Sequence, residues 1–421
     1  MKYLNLDKLI EKIESDQSSI VLFGAGSLGK LTYYALKNKN IKVTYFCDND
    51  LKKQGELFCG VEVISLEKLA TFSNATNIII CNNYIVSTLP VLKELNFSNI
   101  FECVSILEST NFADMNLERN EDKNPKFRHK PLDIERLVGI HKSALKTESF
   151  DTSILDIKYI DIAITERCSM KCVDCSNLMQ YYSEPIHNDT DLLLYSLDKI
   201  MENVDNVYEL RIIGGEPFVN KEIGKIINKI TSTYKNFNKV VIYTNATIVP
   251  RNENFTCMKH RKVSLDITNY GKKLSRNHDK LINLLDENSI PYISHRAFEW
   301  HDSGRIIFQD KNEKQLTKQF KDCCVGDVLT LLNGKLYRCP FSANAHNLHS
   351  IPDYADDVID LNNEHQTSDF LRAEIQKLYT REERRQYLEA CNYCRGRDFS
   401  TPEIPAAIQT KEVLPLPSLA N

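Results

Sequence analysis

Between Thr165 and Ser176 the chain reads TERCSMKCVDCS, three cysteines at spacings of four and three with no fourth nearby. Thiolates at this density suit an iron-sulfur cluster or zinc, both of which accept tetrahedral sulfur ligation. A structural zinc site completes four protein ligands, whereas three leave one metal position open for a substrate or cofactor. Cys168, Cys172 and Cys175 are therefore read as a metal site with a working vacancy. A second set follows far along the chain: Cys323 or Cys324, then Cys339, Cys391 and Cys394. From Cys324 the spacing is C-x9-G-x4-C, with Gly334 turning a hairpin, and the reading leans to Cys324 as the ligand. Four thiolates there would saturate a 4Fe-4S cluster or an all-cysteine zinc ion. At the front, Gly24, Gly26 and Gly29 form G-x-G-x-x-G, with Asp48 19 residues beyond Gly29. That pattern suits a phosphate at a helix amino end and a ribose hydroxyl on the acid.

These groups need elements to hold them. Residues 1–110 alternate strand and helix signals: SIVLFGAGSLGK, IKVTYFCDND, NIIICNN and NIFEC are strands ending in glycine or polar residues. The pattern predicts a parallel sheet flanked by helices. Residues 111–154 are polar, charged and poor in apolar side chains over much of their length, and are read as a linker with helical segments. A second alternating series starts at YIDIAIT and runs through VYELRIIGGEP, KVVIYTN, KVSLDIT and IPYISHRAF. It predicts a full or partial β/α barrel over 155–320, with chemistry at the carboxyl ends of its strands, where the cysteine triplet falls. Residues 321–400 carry the second cysteine set, a hairpin and a helix running into TREERRQY, which is read as a solvated face. Residues 401–421 are a Pro-rich tail, extended or disordered.

The triplet after a first barrel strand, with GGEP (Gly214, Gly215, Glu216, Pro217) after the second, resembles the radical S-adenosylmethionine (radical SAM) superfamily. The likeness covers roughly Asp156 to Arg305. It implies one 4Fe-4S cluster on Cys168, Cys172 and Cys175, with SAM on the open iron, reductive carbon–sulfur cleavage and hydrogen abstraction by a 5'-deoxyadenosyl radical. It places GGEP at the amino group of SAM, and Thr244 and Asn245 at its ribose or methionine portion. Asp266 falls where the family contacts SAM or substrate. Many members have an aromatic residue before the last cysteine, where this chain has Asp174, so adenine needs another wall, such as Val173 or Met179. The second cysteine set is similar to the SPASM/twitch module, which implies an auxiliary 4Fe-4S cluster in a small α+β domain. The front domain looks like the small Rossmann-like domains of bacterial sugar-modifying enzymes, which implies a nucleotide or nucleotide-sugar ligand; NAD and a purely structural domain are alternatives.

The expected architecture is α/β: a Rossmann-like parallel sheet, a partial barrel and a twitch-like domain. The expected reaction is radical dehydrogenation, deoxygenation or epimerisation of a carbohydrate or nucleotide-linked sugar, in surface glycan biosynthesis, with a flavodoxin- or ferredoxin-type electron donor. Peptide modification, and an iron-sulfur scaffold or redox sensor without turnover, are the alternatives. Candidate acid–base residues are Asp266 and His301, the latter in FEWHDSG with Trp300; the bland reading of that trio is a packed aromatic and a solvated loop. A net charge of -4 gives no reason to expect nucleic acid. No stretch approaches the ~18 apolar residues of a membrane span, so a cytoplasmic protein is expected, and its 13 cysteines are read as ligands or small buried hydrophobes rather than disulfides. Cys47, Cys59, Cys81, Cys103 and Cys257 do not cluster and take the second reading.

Overall fold

The computed structural model describes residues 6–16, 19–82, 85–112, 137–139, 141–142, 154–363, 365–381, 383–397 and 401–417. The linker expected over 111–154 lies almost wholly outside the described residues. Two compact units divide the chain, Met1–Asp151 and Thr152–Asn421.

In the first unit the apolar runs become strands β1 (Ile20–Phe23), β2 (Tyr45–Cys47), β3 (Leu57–Phe58), β4 (Val61–Ile64), β5 (Asn77–Ile80) and β6 (Ile100–Glu102). Their order is β3-β4-β2-β1-β5-β6, parallel throughout except for β3, which runs antiparallel to β4. Every residue of β1 and β5 is buried, as strands covered on both faces require. Cys47, Cys81 and Cys103 are buried among them, and Cys59 is half-buried.

The second unit is built on β7 (Asp156–Ala163), β8 (Asn206–Ile213), β9 (Phe237–Thr244), β10 (Val263–Asn269) and β11 (Tyr292–Arg296), parallel neighbours in that order. Alternate residues point to opposite faces of a strand. Ile160, Ile162, Leu210, Ile212, Val240, Ile242, Leu265 and Ile267 form one core with the buried faces of helices Thr190–Asn203, Ile223–Thr233 and His278–Glu287. The other face carries Tyr159, Asp161, Glu209, Arg211, Tyr243 and Asp266, and is far more polar. The sheet does not end at β7. After the short β12 (Glu299–His301), β13 (Val328–Leu332) pairs parallel to β7, and β14 (Lys335–Tyr337) and β15 (Val358–Asp360) continue antiparallel. Asn333 and Gly334, both at positive φ, turn the β13–β14 hairpin. The segment bearing the second cysteine set thus extends the barrel sheet into one eight-stranded sheet.

Two local expectations change. The helix Ser368–Thr380 stops at Arg381, in left-handed conformation, so TREERRQY is not a solvated helix face. Arg381 is 1% exposed, and its guanidinium donates to the carbonyls of Asp356, Arg385 and Tyr387, with Asp357 3.7 Å away. Three carbonyls and a carboxylate compensate its burial. The Pro-rich stretch is extended but pinned: β16 (Glu403–Pro405) pairs antiparallel with β12.

Candidate functional site

The triplet loop leaves the carboxyl end of β7, and the carboxyl end of β8 is bonded directly to its start. Gly215 N–H donates to the Thr165 carbonyl and Glu216 N–H to the Arg167 carbonyl, each at 2.9 Å. Only glycine fits at this seam. A Cβ on Gly214, at φ +145°, would lie 2.2 Å from the Thr165 oxygen; one on Gly215 would lie 2.2 Å from the Arg167 oxygen and 2.8 Å from Cys168 Cβ. The glycines of GGEP therefore allow close approach of their backbone to the cysteine loop itself.

Glu216 is fully buried and works as a clamp. Its carboxylate accepts from Thr244 Oγ1 at 2.8 Å, Asn245 N–H at 2.9 Å and Phe218 N–H at 3.2 Å. Burial outweighs these donors and pushes its pKa up to about 7. The clamp holds the end of β9 against the end of β8, and Asn245 then reaches the site: its Nδ2 donates to Ser169 Oγ at 3.3 Å and lies 3.8 Å from Cys168 Sγ. Asp266, on the polar face of β10, lies 3.5 Å from His295 Nδ1 on β11. The His301 Nδ1 is 3.1 Å from the Thr401 carbonyl. The residue beside Asp266 is His295, which the sequence reading passed over although it lies on the register row of β10 Thr268.

Around the triplet, Met170, Cys172 and Ala407 form a small apolar cluster with Tyr270, Leu274 and Trp300 packed against it. Trp300 meets Tyr270 edge to face, ring centroids 5.6 Å apart. Asp174 accepts from Arg305 Nε at 2.5 Å, while Met179 is buried in the core and Val173 N–H donates to the Ile408 carbonyl. Tyr181 and Tyr182 are buried.

Cys323, Cys339, Cys391 and Cys394 line one cavity. Of the two adjacent candidates, Cys323 is the one that lines this cavity. Cys324 is exposed and lines no part of that cavity; a hydrogen bond with Cys323, then Arg397 and His301 nearby, lower its thiol. Gly396 N–H donates to Cys394 Sγ at 3.3 Å, and Ser342 N–H to Cys339 Sγ at 3.2 Å.

In the first unit Gly24, Gly26 and Gly29 make the turn from β1 into helix Ser27–Asn38, with the Gly29 Cα packed against the Gly24 carbonyl. The Asp48 carboxylate accepts from Ala25 N–H at 2.8 Å, Lys53 Nζ at 3.1 Å and Asp50 N–H at 2.9 Å.

The donor sets fit iron-sulfur clusters. Burial pushes the Cys172 and Cys339 thiols up to about 12 and raises Cys168, Cys175, Cys391 and Cys394 as well, so these sulfurs become thiolates only when a metal supplies the compensating charge. Among the described residues, no three His, Cys, Asp or Glu side chains are gathered tightly enough for a single metal ion. Residues 162–285 match the 4Fe-4S single cluster domain family, a stretch that contains the triplet and GGEP and stops short of the second cysteine set. The chain is 31% identical over 96 residues to GTP 3',8-cyclase of Clostridium acetobutylicum, covering 23% of this chain and 30% of that one. To GTP 3',8-cyclase of Campylobacter jejuni subsp. jejuni it is 28% identical over 122 residues, covering 28% of this chain and 37% of that one.

The matched stretch is similar to a 4Fe-4S single cluster domain that holds the cysteine triplet.

The aligned stretch spans about a third of the length of the curated relatives. Among solved structures, the chain is similar to BtrN in complex with AdoMet and 2-DOIA, at 14% identity and TM-score 0.37 over 61% of this chain and 97% of that one. It is also similar to SuiB of Streptococcus suis bound to S-adenosylmethionine, at 12% identity and TM-score 0.29 over 71% of this chain and 59% of that one. A 4Fe-4S cluster is the group named by the matched family.

Proposed function

We propose that the enzyme removes a hydrogen atom from a carbohydrate or nucleotide-linked sugar in the barrel. One observation carries the radical SAM half of this reading: the GGEP backbone is bonded to the triplet loop, so the thiols and the glycine edge form one rim at the carboxyl ends of β7 and β8. When bound, the cluster and SAM supply a one-electron cleavage that yields a 5'-deoxyadenosyl radical. The chain's residues do the rest. Cys168, Cys172 and Cys175 hold the cluster by three corners. Glu216 fixes Thr244 and Asn245 at the rim, and Gly214 and Gly215 keep it free of side chains where SAM's amino group would sit. Tyr270, Leu274 and Trp300 give adenine an apolar surface and exclude water.

The substrate half rests on the sheet's polar face. Asp161, Arg211, Glu209, Asp266 and His295 offer donors and acceptors of both signs, which suits a hydroxyl-rich molecule better than an apolar one. The curated relatives' name, GTP 3',8-cyclase, adds a nucleotide to the classes such a barrel accommodates. Cys323, Cys339, Cys391 and Cys394 would hold a fully ligated auxiliary cluster, and such a group would supply an electron acceptor. Among the described residues no helix is long and apolar enough to cross a membrane, and none of the 13 cysteines forms a disulfide. We place the protein in the reducing cytoplasm, served by a flavodoxin- or ferredoxin-type donor.

The test is anaerobic turnover with dithionite. The parent should release 5'-deoxyadenosine from SAM and Cys172→Ala should not. With perdeuterated nucleotide-sugars, deuterium should appear in 5'-deoxyadenosine. Deuterium arriving only from peptides would replace the substrate class; no 5'-deoxyadenosine from the iron-loaded parent would remove the reaction.

A further inference from the structure

The Pro-rich stretch lies across the triplet loop. It is tied down at one end by the β12–β16 pair, with Ala406 N–H donating to the Phe298 carbonyl, and further along by Leu414 N–H on the Gln180 carbonyl, both at 2.9 Å. Between these anchors it runs antiparallel to Cys172. Val173 N–H donates to the Ile408 carbonyl and Thr410 N–H to the Lys171 carbonyl, each at 2.8 Å, so Gln409 sits opposite Cys172. Ala407, 2% exposed, packs on Met170 and Cys172.

The Gln409 side chain is oriented from two sides. Its Oε1 accepts from Lys171 N–H at 2.9 Å, which fixes which end of the amide is oxygen. Its Nε2 then donates to the Ala407 carbonyl at 2.8 Å and to Cys172 Sγ at 3.1 Å. We propose that Gln409 is a positioning residue that sets the reduction potential of the triplet's cluster, by an N–H···S hydrogen bond delivered from a segment more than 200 residues downstream. The inference rests on the reading of the triplet as a cluster site. Reduction adds negative charge to the cluster and its thiolates, and a donor on a ligand sulfur stabilises that charge. The bond therefore raises the potential.

The experiment uses the full chain, reconstituted anaerobically with iron and sulfide, and a redox titration followed by electron paramagnetic resonance. The triplet's cluster is the signal that changes when SAM is added. Gln409→Leu keeps both backbone pairs, because neither involves the side chain, and removes the donor. Its midpoint should move negative, with the reduction equilibrium constant falling about tenfold, which is 59 mV for one electron. Gln409→Glu keeps the acceptor for Lys171 N–H and puts a carboxylate at the sulfur, so its midpoint should move further the same way. Thr410→Ala should leave it in place. An unshifted midpoint in iron-loaded Gln409→Leu overturns the proposal; should that variant lose iron, an unshifted Gln409→Glu overturns it equally. A parent chain that binds no iron at the triplet removes the cluster reading itself, a failure visible before any variant is made.

Discussion

Cys323 and Cys324 are adjacent in sequence and opposite in surroundings. Spacing to Gly334 and Cys339 serves either, and only the turn after helix Glu313–Asp322 decides which sulfur faces the cavity. Cys323→Ser should remove iron from the second site, whereas Cys324→Ser should keep it; parallel iron and sulfide analysis of the two variants checks this, and equal losses would undo the assignment. Asp161 offers a pH test of the barrel's polar face. It is 6% exposed, and burial raises its pKa to about 6 in spite of Arg211, 3.7 Å away. Because the folded-state value lies above the unfolded one, the unfolded chain releases its proton first as pH rises. The group therefore costs nothing below about pH 4, and stability falls between about pH 4 and 6. At about 1.4 kcal/mol for each tenfold change in proton affinity, the fall is at most roughly 3 kcal/mol. Denaturant titrations of the metal-free chain across that range should show the slope, and Asp161→Asn should flatten it.

At the scale of elements, the strands were legible because their apolar runs are short, β-branched and bounded by glycine or polar residues, and the triplet because its chemistry lies within eight positions. What was not legible depended on pairings between distant segments. That β13 joins β7 is decided by backbone bonds between residues about 170 positions apart, and nothing in LTLLNGKLY names its partner. Arg381 looked like one charge in a solvated run because its three carbonyl partners carry no residue-type signal. Gln409 was hidden in a tail whose prolines announce an extended chain without saying what it lies on. The β8–triplet seam sits between these cases: GGEP was visible, but the atoms its glycines approach were not. Gly215→Ala puts a methyl within 2.2 Å of the Arg167 oxygen and against Cys168, and backbone on both sides leaves no room to yield. Reconstituted Gly215→Ala should lose most of the triplet's iron while iron at the second site persists. Full iron content in that variant would show that the seam is not what shapes the loop.

On the scale of the whole molecule, each unit has a core of its own. In the first, Val21, Phe23, Ile78, Ile80 and Ile100 pack with Leu89 and Leu92; in the second, the strands of the long sheet pack against their helices. The candidate cluster ligands, Cys168 through Cys394, all lie within Thr152–Asn421. Metal binding stabilises whatever unit folds around it and leaves an independent unit untouched, because ligand free energy is added only to the folded state that holds the ligand. Calorimetry of the full chain should therefore show two transitions. Reconstitution with iron and sulfide should move one of them upward and leave the other in place, and Cys172→Ala should reduce that shift. Asp48→Ala should act on the opposite transition. It removes the acceptor shared by Ala25 N–H, Asp50 N–H and Lys53 Nζ, at a cost of about 1–3 kcal/mol, and so lowers the iron-insensitive midpoint. If both transitions moved together with iron, or if Asp48→Ala lowered the iron-dependent one, the two units would be one cooperative body, and the front domain would have to be counted as part of the cluster's own scaffold.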